Sequence, residues 1–324
     1  MATARDIKRR IGSVNNISQV TRALEAVSAS RVRKAQEQVM NTRPYAMKAN
    51  EVLANVAATT LGSEHPLLEV HETIDTLSII LITSDRSLCG AYNDNIIRHA
   101  LKFADEHEGE DIRWIAVGRK GRDALIRSGQ NVIAEFTNLP TPLSISDIIP
   151  MTNIVLEEYN NRTTDQVFIA YTDFINTLTQ SPTIFNVLPL KPYASKSPIE
   201  EQMLSDNPEV TISGRDYLYE PDPTSILDEV IPRFVTLLIY QAFLESLASE
   251  HSARMIAMRN ASENAQALSE DLKLEYNNIR QSAITAEILD IVGAVNALEQ
   301  EKDSGPSKPP EQLIKEYRAE TATN

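Results

Sequence analysis

The fold is decided by residues 233–292, RFVTLLIYQAFLESLASEHSARMIAMRNASENAQALSEDLKLEYNNIRQSAITAEILDIV, a run of 60 residues with neither glycine nor proline. As one α-helix this run would be about 90 Å long, whereas helices of globular proteins average about 11–12 residues. Alternating steps of four and three, typical of a coiled-coil seam, separate Ile284, Ile288, Ile291, Val295 and Leu298. A long helix cannot bury such a seam alone, so a second long helix is required.

The N-terminal segment predicts that second helix, because no glycine or proline occurs between Ser13 and Arg43. Pro44 is expected to kink the helix or to start a new turn. Apolar side chains recur there at steps of three or four, at Ile7, Ile11, Val14, Ile17, Val20, Leu24 and Val27. The simplest arrangement is a coiled coil built from the two ends of the chain.

The middle of the chain changes period and predicts an inserted α/β domain. LSIILITS (77–84) is a continuous apolar run, as in a strand buried on both faces. Strands and helices then alternate at the spacing of a mainly parallel, doubly wound, Rossmann-like sheet. The further strands are IRWIAVG (112–118), NVIAEF (131–136), QVFIAYTDF (166–174) and TIFNVLPL (183–190).

These patterns predict five regions along the chain. The N-terminal helix occupies 1–62 and the α/β domain 75–192, and a loop-rich connection covers 193–230. The C-terminal helix occupies 231–300, and the segment 301–324, which contains DSGPSKPP, is expected to be a flexible tail.

Composition excludes several classes of protein. A net charge of −14, from 31 basic and 45 acidic side chains, argues against a general nucleic-acid binder. The first 48 residues are nevertheless basic, with ten basic and three acidic side chains. A single cysteine, Cys89, rules out a disulfide within the chain. With no long apolar run and no secretory signal, we expect contact with a membrane only through partners.

The string SDRSLCGAYN (84–93) is the strongest candidate for chemistry. Asp85 could act as a base or Cys89 as a nucleophile, but Cys89 would need a base in reach. The nearest histidine is His99, and nothing in the sequence orients it. The favoured interpretation is a tight turn between a strand and a helix, with Asp85 or Asn93 capping a helix.

Two other candidate sites are weak. VGRKGRDAL (117–125) lacks both the G-x-G-x-x-G fingerprint and a G-K-[ST] phosphate cradle, so it predicts a structural turn. The histidines are scattered, without metal-ligand spacing. On these residues alone no catalytic residue, cofactor site or metal site is convincing, and whether the chain is an enzyme or a mechanical part stays open.

Four strings together resemble the gamma subunits of F-type ATP synthases. They are IKRRIGSVNNISQVTRALEAVSASRVRKAQ (7–36), SDRSLCGAYN (84–93), YLYEPDPTSILDEVIPRFV (217–235), and LASEHSARMIAMRNASENA (247–265) with YNNIRQSAITAEILDIVGAVNAL (276–298). The resemblance covers about residues 1–300. Leu24 and Ala26 stand where the family usually has methionines, and the tail has no counterpart in the common family pattern. The absence of a transit peptide before the family start favours a bacterial protein.

The resemblance implies an antiparallel coiled coil that serves as a central rotor shaft inside three alpha and three beta subunits. The α/β domain is expected near the membrane c-ring and the epsilon subunit. Rotation would couple flow of protons or sodium ions to ATP synthesis or hydrolysis on beta, so this chain would not be catalytic. It would lie peripherally, at the cytoplasmic face of a bacterial membrane.

The resemblance also implies contact residues. Contacts with beta are expected from Arg280, Gln281, Thr285 and Glu287, and from Arg31, Arg33 and Lys34. Contacts with the membrane ring are expected from Tyr217, Tyr219 and Glu220. Two alternatives remain: a Rossmann-like nucleotide-binding enzyme with a coiled-coil dimerisation arm, and a cytoskeletal-type coiled-coil scaffold.

Overall fold

The computed structural model describes residues 3–59, 65–71, 73–107, 109–190 and 223–303. It divides into two compact units, one formed by residues 1–19 and 263–324, the other by residues 20–262. The helices are α1 (Ala4–Thr59), α2 (Tyr92–Asp105), α3 (Arg119–Arg127), α4 (Ile145–Asn160) and α5 (Pro223–Asp303), with a 3-10 turn at Pro66–Leu68. The strands are β1 (Thr76–Ile82), β2 (Asp111–Val117), β3 (Asn131–Phe136), β4 (Gln166–Phe174) and β5 (Gln180–Leu188).

The five strands form one sheet in the order β3-β2-β1-β4-β5. The first four are parallel, as predicted. β5 pairs antiparallel with β4, because the short connection between Phe174 and Gln180 suffices for a hairpin but not for a parallel crossover.

The sheet is covered on both faces, and β1 shows why its sequence is apolar throughout. Ile79 and Leu81 pack with α2 and α3, whereas Ile80 and Ile82 pack with α4 and the first third of α5. Successive side chains of a strand point to opposite faces, so a strand covered on both sides needs an unbroken apolar run. The predicted burial of LSIILITS on both faces is confirmed.

Helix α5 begins at Pro223 rather than at 231, and it continues through Pro232. Helix α1 continues through Pro44 to Thr59, so Pro44 does not end the helix. Within the larger unit the two helices run antiparallel. Thr42 Oγ1 lies 2.9 Å from Gln241 Oε1, and Arg31, nearer the start of α1, lies by Glu250, farther along α5.

The residues that α1 turns inward differ from those that its apolar spacing indicates. Ile17, Val20 and Val27 are at least half exposed. Leu24, Ala29, Gln36 and Gln38 are also partly buried, but one set of inward positions alternates by four and three. On α1 they are Ile7, Ile11, Val14, Ser18, Thr21, Glu25, Ser28, Val32, Ala35 and Val39; on α5 they are Met258, Ser262, Ala265, Ser269, Leu272, Tyr276 and Ile279. Two paired helices keep a 3.5-residue repeat facing each other, and repeated steps of three drift off that seam.

The seam predicted at Ile284, Ile288, Ile291, Val295 and Leu298 is wrong for this chain by itself, since these side chains are 46–64% exposed. Asn15 of α1 pairs with Ser269 of α5, whose hydroxyl donates to Asn15 Oδ1 at 2.8 Å. In antiparallel register, the position opposite Ile284 lies before α1 starts at Ala4. Among the described residues, the last part of α5 therefore has no helix to pack against.

Within the described ranges, one helix is long and apolar enough to cross a membrane, and it is α5. Its most apolar 18-residue window has a mean hydropathy of 1.3, and 72% of that window is buried inside the protein. Burial against the sheet explains this hydropathy, because a helix in a protein core is apolar nearly all round.

Gly118 joins β2 to α3 at a point where no side chain fits. Its φ is +83°, and a Cβ atom there would lie 2.3 Å from the carbonyl oxygen of Thr83. Gly129, after α3, also has a positive φ, of +70°, but a Cβ atom there would meet nothing within 4 Å. A side chain at Gly118 would suffer both backbone strain and a steric collision, whereas a side chain at Gly129 would suffer backbone strain alone.

The first prediction concerns the seam of the smaller unit. Ile7→Ala should lower the free energy of unfolding by about 2–4 kcal/mol, because Ile7 is only 1% exposed. Ile17→Ala is the matched control: Ile17 is 54% exposed, so the change should stay within about 0.5 kcal/mol. Because both substitutions replace isoleucine by alanine within α1, the change in helix propensity is the same in the two variants. Urea unfolding of the full chain, followed by circular dichroism, measures the difference, and equal losses would contradict the assigned seam.

The second prediction concerns the turn before α3. Gly118→Ala should destabilise the protein by about 2–5 kcal/mol, because strain and overpacking add. Gly129→Ala should cost about 1–2 kcal/mol, the penalty of the left-handed backbone alone. Thermal and urea unfolding of the two variants compare these costs. A Gly118→Ala protein as stable as Gly129→Ala would mean that Thr83 does not approach this closely.

Candidate functional surfaces

The string SDRSLCGAYN forms a closed turn after β1. Ser84 donates its backbone N–H to Asn93 Oδ1 at 2.9 Å and its hydroxyl to the carbonyl of Arg86 at 2.6 Å. The Asn93 amide donates to Cys89 Sγ at 3.1 Å. Cys89 is 1% exposed, and its described polar contacts are with Ser84, Arg86 and Asn93. None of these groups is a base that could deprotonate the thiol, so the turn is structural.

Asp85 fixes the ends of three neighbouring strands. One carboxylate oxygen accepts the N–H of Arg119, at the start of α3, and the other accepts the N–H of Asn138, beyond β3. The predicted cap of the helix after this turn does not form, since α2 has Ala91 at its N-cap with no side-chain hydrogen bond. Asp85 instead binds the first N–H of α3, a helix farther along the chain. Asn93 does not cap the start of α2, because its side chain bonds back to Ser84.

The glycine-containing turn before α3 offers no phosphate cradle. Its backbone donors are already bound: the N–H of Arg119 by Asp85, that of Lys120 by the carbonyl of Ser84, and that of Gly121 by Thr83 Oγ1. A phosphate at a helix N-terminus needs these N–H groups free. In the part of the chain that the structure describes, no cluster of three or more His, Cys, Asp or Glu side chains could hold a metal ion.

The residues predicted to contact beta near the end of α5 are all exposed. Arg280, Gln281, Thr285 and Glu287 lie just beyond the last seam residue. Thr285 is one turn after Gln281, and its hydroxyl donates to the Gln281 carbonyl at 2.9 Å. These polar side chains share the segment with Ile284, Ile288, Ile291, Val295 and Leu298. The segment thus presents apolar and polar groups together to the surroundings.

The three basic residues predicted on α1, Arg31, Arg33 and Lys34, are exposed as well. Arg31 differs from its neighbours because it lies near Glu250 and His251 of α5. Residues 191–222, and with them the predicted ring contacts Tyr217, Tyr219 and Glu220, lie outside the described residues.

A cavity of about 830 Å³, which no sequence pattern indicates, lies within the larger unit. It lies between the carboxyl ends of β1, β2 and β3 and the facing surfaces of α1 and α5. Its wall includes a largely buried ion pair in which Arg254 contacts Glu250 at 2.5 Å. Arg254 also donates to the carbonyls of Arg86 and Ser87. The only sequence pattern that indicates this ion pair is the spacing of Glu250 and Arg254, which stand four residues apart on a helix.

Burial shifts the pKa of two side chains in this wall, Glu250 and His251. It raises the pKa of Glu250, although the positive charge of Arg254 acts in the opposite direction. Burial also lowers the pKa of His251 to about 4, and the charges of Arg254 and Arg31 lower it further. His251 is therefore neutral at pH 7.

Comparison with known proteins agrees with this architecture. The family model described as ATP synthase matches residues 3–298. The ATP synthase gamma chain of Herpetosiphon aurantiacus is 40% identical over 309 residues, covering 93% of this chain and 100% of that protein. The ATP synthase gamma chain of Dehalococcoides mccartyi is 42% identical over 300 residues, covering 92% and 100%.

Solved structures resemble the fold. A chain of the Euglena gracilis mitochondrial ATP synthase (OSCP/F1/c-ring, rotational state 3) superposes with a TM-score of 0.63 at 22% identity, covering 94% of this chain and 98% of that one. A chain of the Tetrahymena thermophila mitochondrial ATP synthase (central stalk/c-ring) gives 0.56 at 22% identity, covering 75% and 99%. With a family match over nearly its whole length and an α/β unit carried by two long terminal helices, the chain belongs to the gamma-chain family of ATP synthases.

Proposed function

We propose that this chain is the rotor shaft that couples ion flow through a membrane ring to ATP synthesis or hydrolysis on the beta subunits. The observation that carries the proposal is the last part of α5, which continues past the start of α1 with Ile284, Ile288 and Ile291 exposed. Apolar surface of this extent on a soluble protein marks an interaction site. A surrounding ring of subunits supplies the cover that the described residues of this chain do not provide.

The physical role of such a shaft is to bias other subunits. The exposed segment of α5 is not the same on all sides, since Arg280 and Gln281 precede its apolar groups and Thr285 and Glu287 lie among them. Each orientation therefore offers different contacts to each beta subunit, and a ligand or partner shifts a conformational equilibrium only through such differences. The chemistry occurs on beta, and the gamma chain is a non-catalytic subunit.

The partners that fit this role are three alpha and three beta subunits, the epsilon subunit and the c-ring. The Euglena and Tetrahymena assemblies, whose descriptions include F1, the central stalk and the c-ring, support this set. As a gamma chain, the protein is a peripheral part of a membrane-bound complex. Its finer location in this proposal is the cytoplasmic face of a bacterial cell membrane.

The contact residues divide into three groups in this proposal. Arg280, Gln281, Thr285 and Glu287 contact a loop of beta, where the planar guanidinium of Arg280 suits a carboxylate. Arg31, Arg33 and Lys34 meet acidic loops of beta through graded, salt-sensitive attraction. Tyr217, Tyr219 and Glu220 contact the polar loops of the membrane ring.

The alternative of a nucleotide-binding enzyme is not favoured. The backbone donors that would bind a phosphate at the start of α3 are occupied by Asp85, Ser84 and Thr83. The family match over residues 3–298 points to a non-catalytic subunit. A coiled-coil scaffold of the cytoskeletal type is likewise not needed to explain the exposed helix.

The third prediction tests the beta contact. Arg280→Ala and Gln281→Ala should each lower ATPase turnover of the assembled complex by about 3- to 10-fold, equivalent to about 0.6–1.4 kcal/mol. Assembly should be unaffected, because both side chains are exposed. Arg98→Ala is the control: Arg98 is an exposed arginine on α2, outside the proposed contacts. Wild-type turnover in both test variants would remove the contact from the proposal.

The fourth prediction tests the ring contact. Glu220→Lys should weaken coupling between ion flow and ATP, because it places a like charge against a basic loop. Hydrolysis by the detached soluble complex should change by less than about twofold, within about 0.5 kcal/mol. ATP-driven proton or sodium pumping in vesicles, measured beside hydrolysis by the detached complex, separates the two effects. Equal damage to both would assign Glu220 to the fold of this chain.

A further inference from the structure

The cavity in the larger unit has the position and size of a ligand site. Its volume of about 830 Å³ falls in the range of about 300–1,000 Å³ that is typical of small-molecule pockets. It opens outside the carboxyl ends of parallel strands, where open α/β sheets bind their ligands. Nothing in the rotor role requires a cavity here.

The cavity wall carries an excess of positive charge. Five basic side chains line it, Arg31, Arg86, Arg119, Lys120 and Arg254, against the two carboxylates Asp85 and Glu250. Both carboxylates are already engaged: Asp85 accepts two backbone N–H groups, and Glu250 pairs with Arg254. Neutral His251 adds no charge of either sign at pH 7.

Two of the five cations are held in place and three are available. Arg119 donates to Asn138 Oδ1 at 2.9 Å, and Arg254 is tied to Glu250 and to the loop after β1. Although Arg31 lies near Glu250 and Lys120 lies near Asp123, the side chains of Arg31, Arg86 and Lys120 form no hydrogen bond and no ion pair within 4 Å among the described residues. Their charges come from α1, the loop after β1 and α3, three separate elements around one opening.

We propose that this cavity binds a small phosphate-class oxyanion through the free side chains of Arg31, Arg86 and Lys120. Guanidinium groups bind phosphate oxygens with paired N–H donors, and an ammonium group adds a compact charge. The binding uses side chains alone, because the N–H groups at the start of α3 are occupied. Since the protein carries a net charge of −14, retention of an anion requires such a local site and not general attraction.

Calorimetric titration of the full chain with pyrophosphate at low ionic strength tests the proposal. The chain should bind one equivalent, and Arg31→Gln, Arg86→Gln and Lys120→Gln should each weaken binding by about tenfold, as expected for loss of one charged hydrogen bond. Arg22→Gln is the matched control, because Arg22 is an exposed arginine of α1 away from the cavity. It should bind pyrophosphate like the unchanged protein.

ADP in a second titration separates a free phosphate from the phosphates of a nucleotide. Binding of ADP and pyrophosphate with similar affinity, both weakened by Arg31→Gln, supports recognition of the oxyanion alone. No binding of pyrophosphate, or an equal loss with Arg22→Gln, would overturn the site. Hydrolysis and pumping by the assembled complex measure the rotor role separately. Arg31 is also a proposed beta contact, so Arg86→Gln and Lys120→Gln, which lie outside the proposed beta contacts, keep the two proposals distinguishable.

Discussion

Burial of the first third of α5 against the sheet is the interaction on which the larger unit depends. Leu227, Ile231, Phe234, Leu238 and Phe243 are all at most 2% exposed, and they share one core with α4 and the inner faces of four strands. At about 1.5–3 kcal/mol for each large apolar side chain, this contact dominates whatever the surface ion pairs contribute. It makes the long helix part of the α/β unit and not an appendage.

The polar groups in this buried stretch set the position of the helix. Tyr92 and Ser246 share a hydrogen bond of 2.7 Å between α2 and α5, and the hydroxyl of Tyr240 donates to the carbonyl of Leu143. Gln38 of α1 donates to the same carbonyl. Buried polar groups that find partners restrict a core to one arrangement, because any shift leaves a donor or acceptor unpaired.

The same α5 meets a different environment in each part of its length. After the core stretch it faces α1 through small and polar residues such as Ser262, Ala265 and Ser269, which bury little apolar area. Beyond Ile279 its apolar side chains face outward. In a protein acting alone, a helix with such exposed apolar side chains would favour aggregation. In a gamma chain it is the part that other subunits are proposed to enclose.

Local sequence patterns alone predict the number and type of elements, the mainly parallel sheet and the pairing of the terminal helices. Those features follow from local periodicity and from the absence of glycine and proline. Tertiary structure decided which helical residues face inward. Ile17 and Ile284 fit helical spacing as well as Ile7 does, yet both are exposed. Ile17 falls off the 3.5-residue seam, and the antiparallel register that pairs Asn15 with Ser269 places Ile284 beyond the start of α1. The cavity was also invisible in sequence, because Arg31, Arg86 and Lys120 come from three elements that only the packed chain brings around one opening.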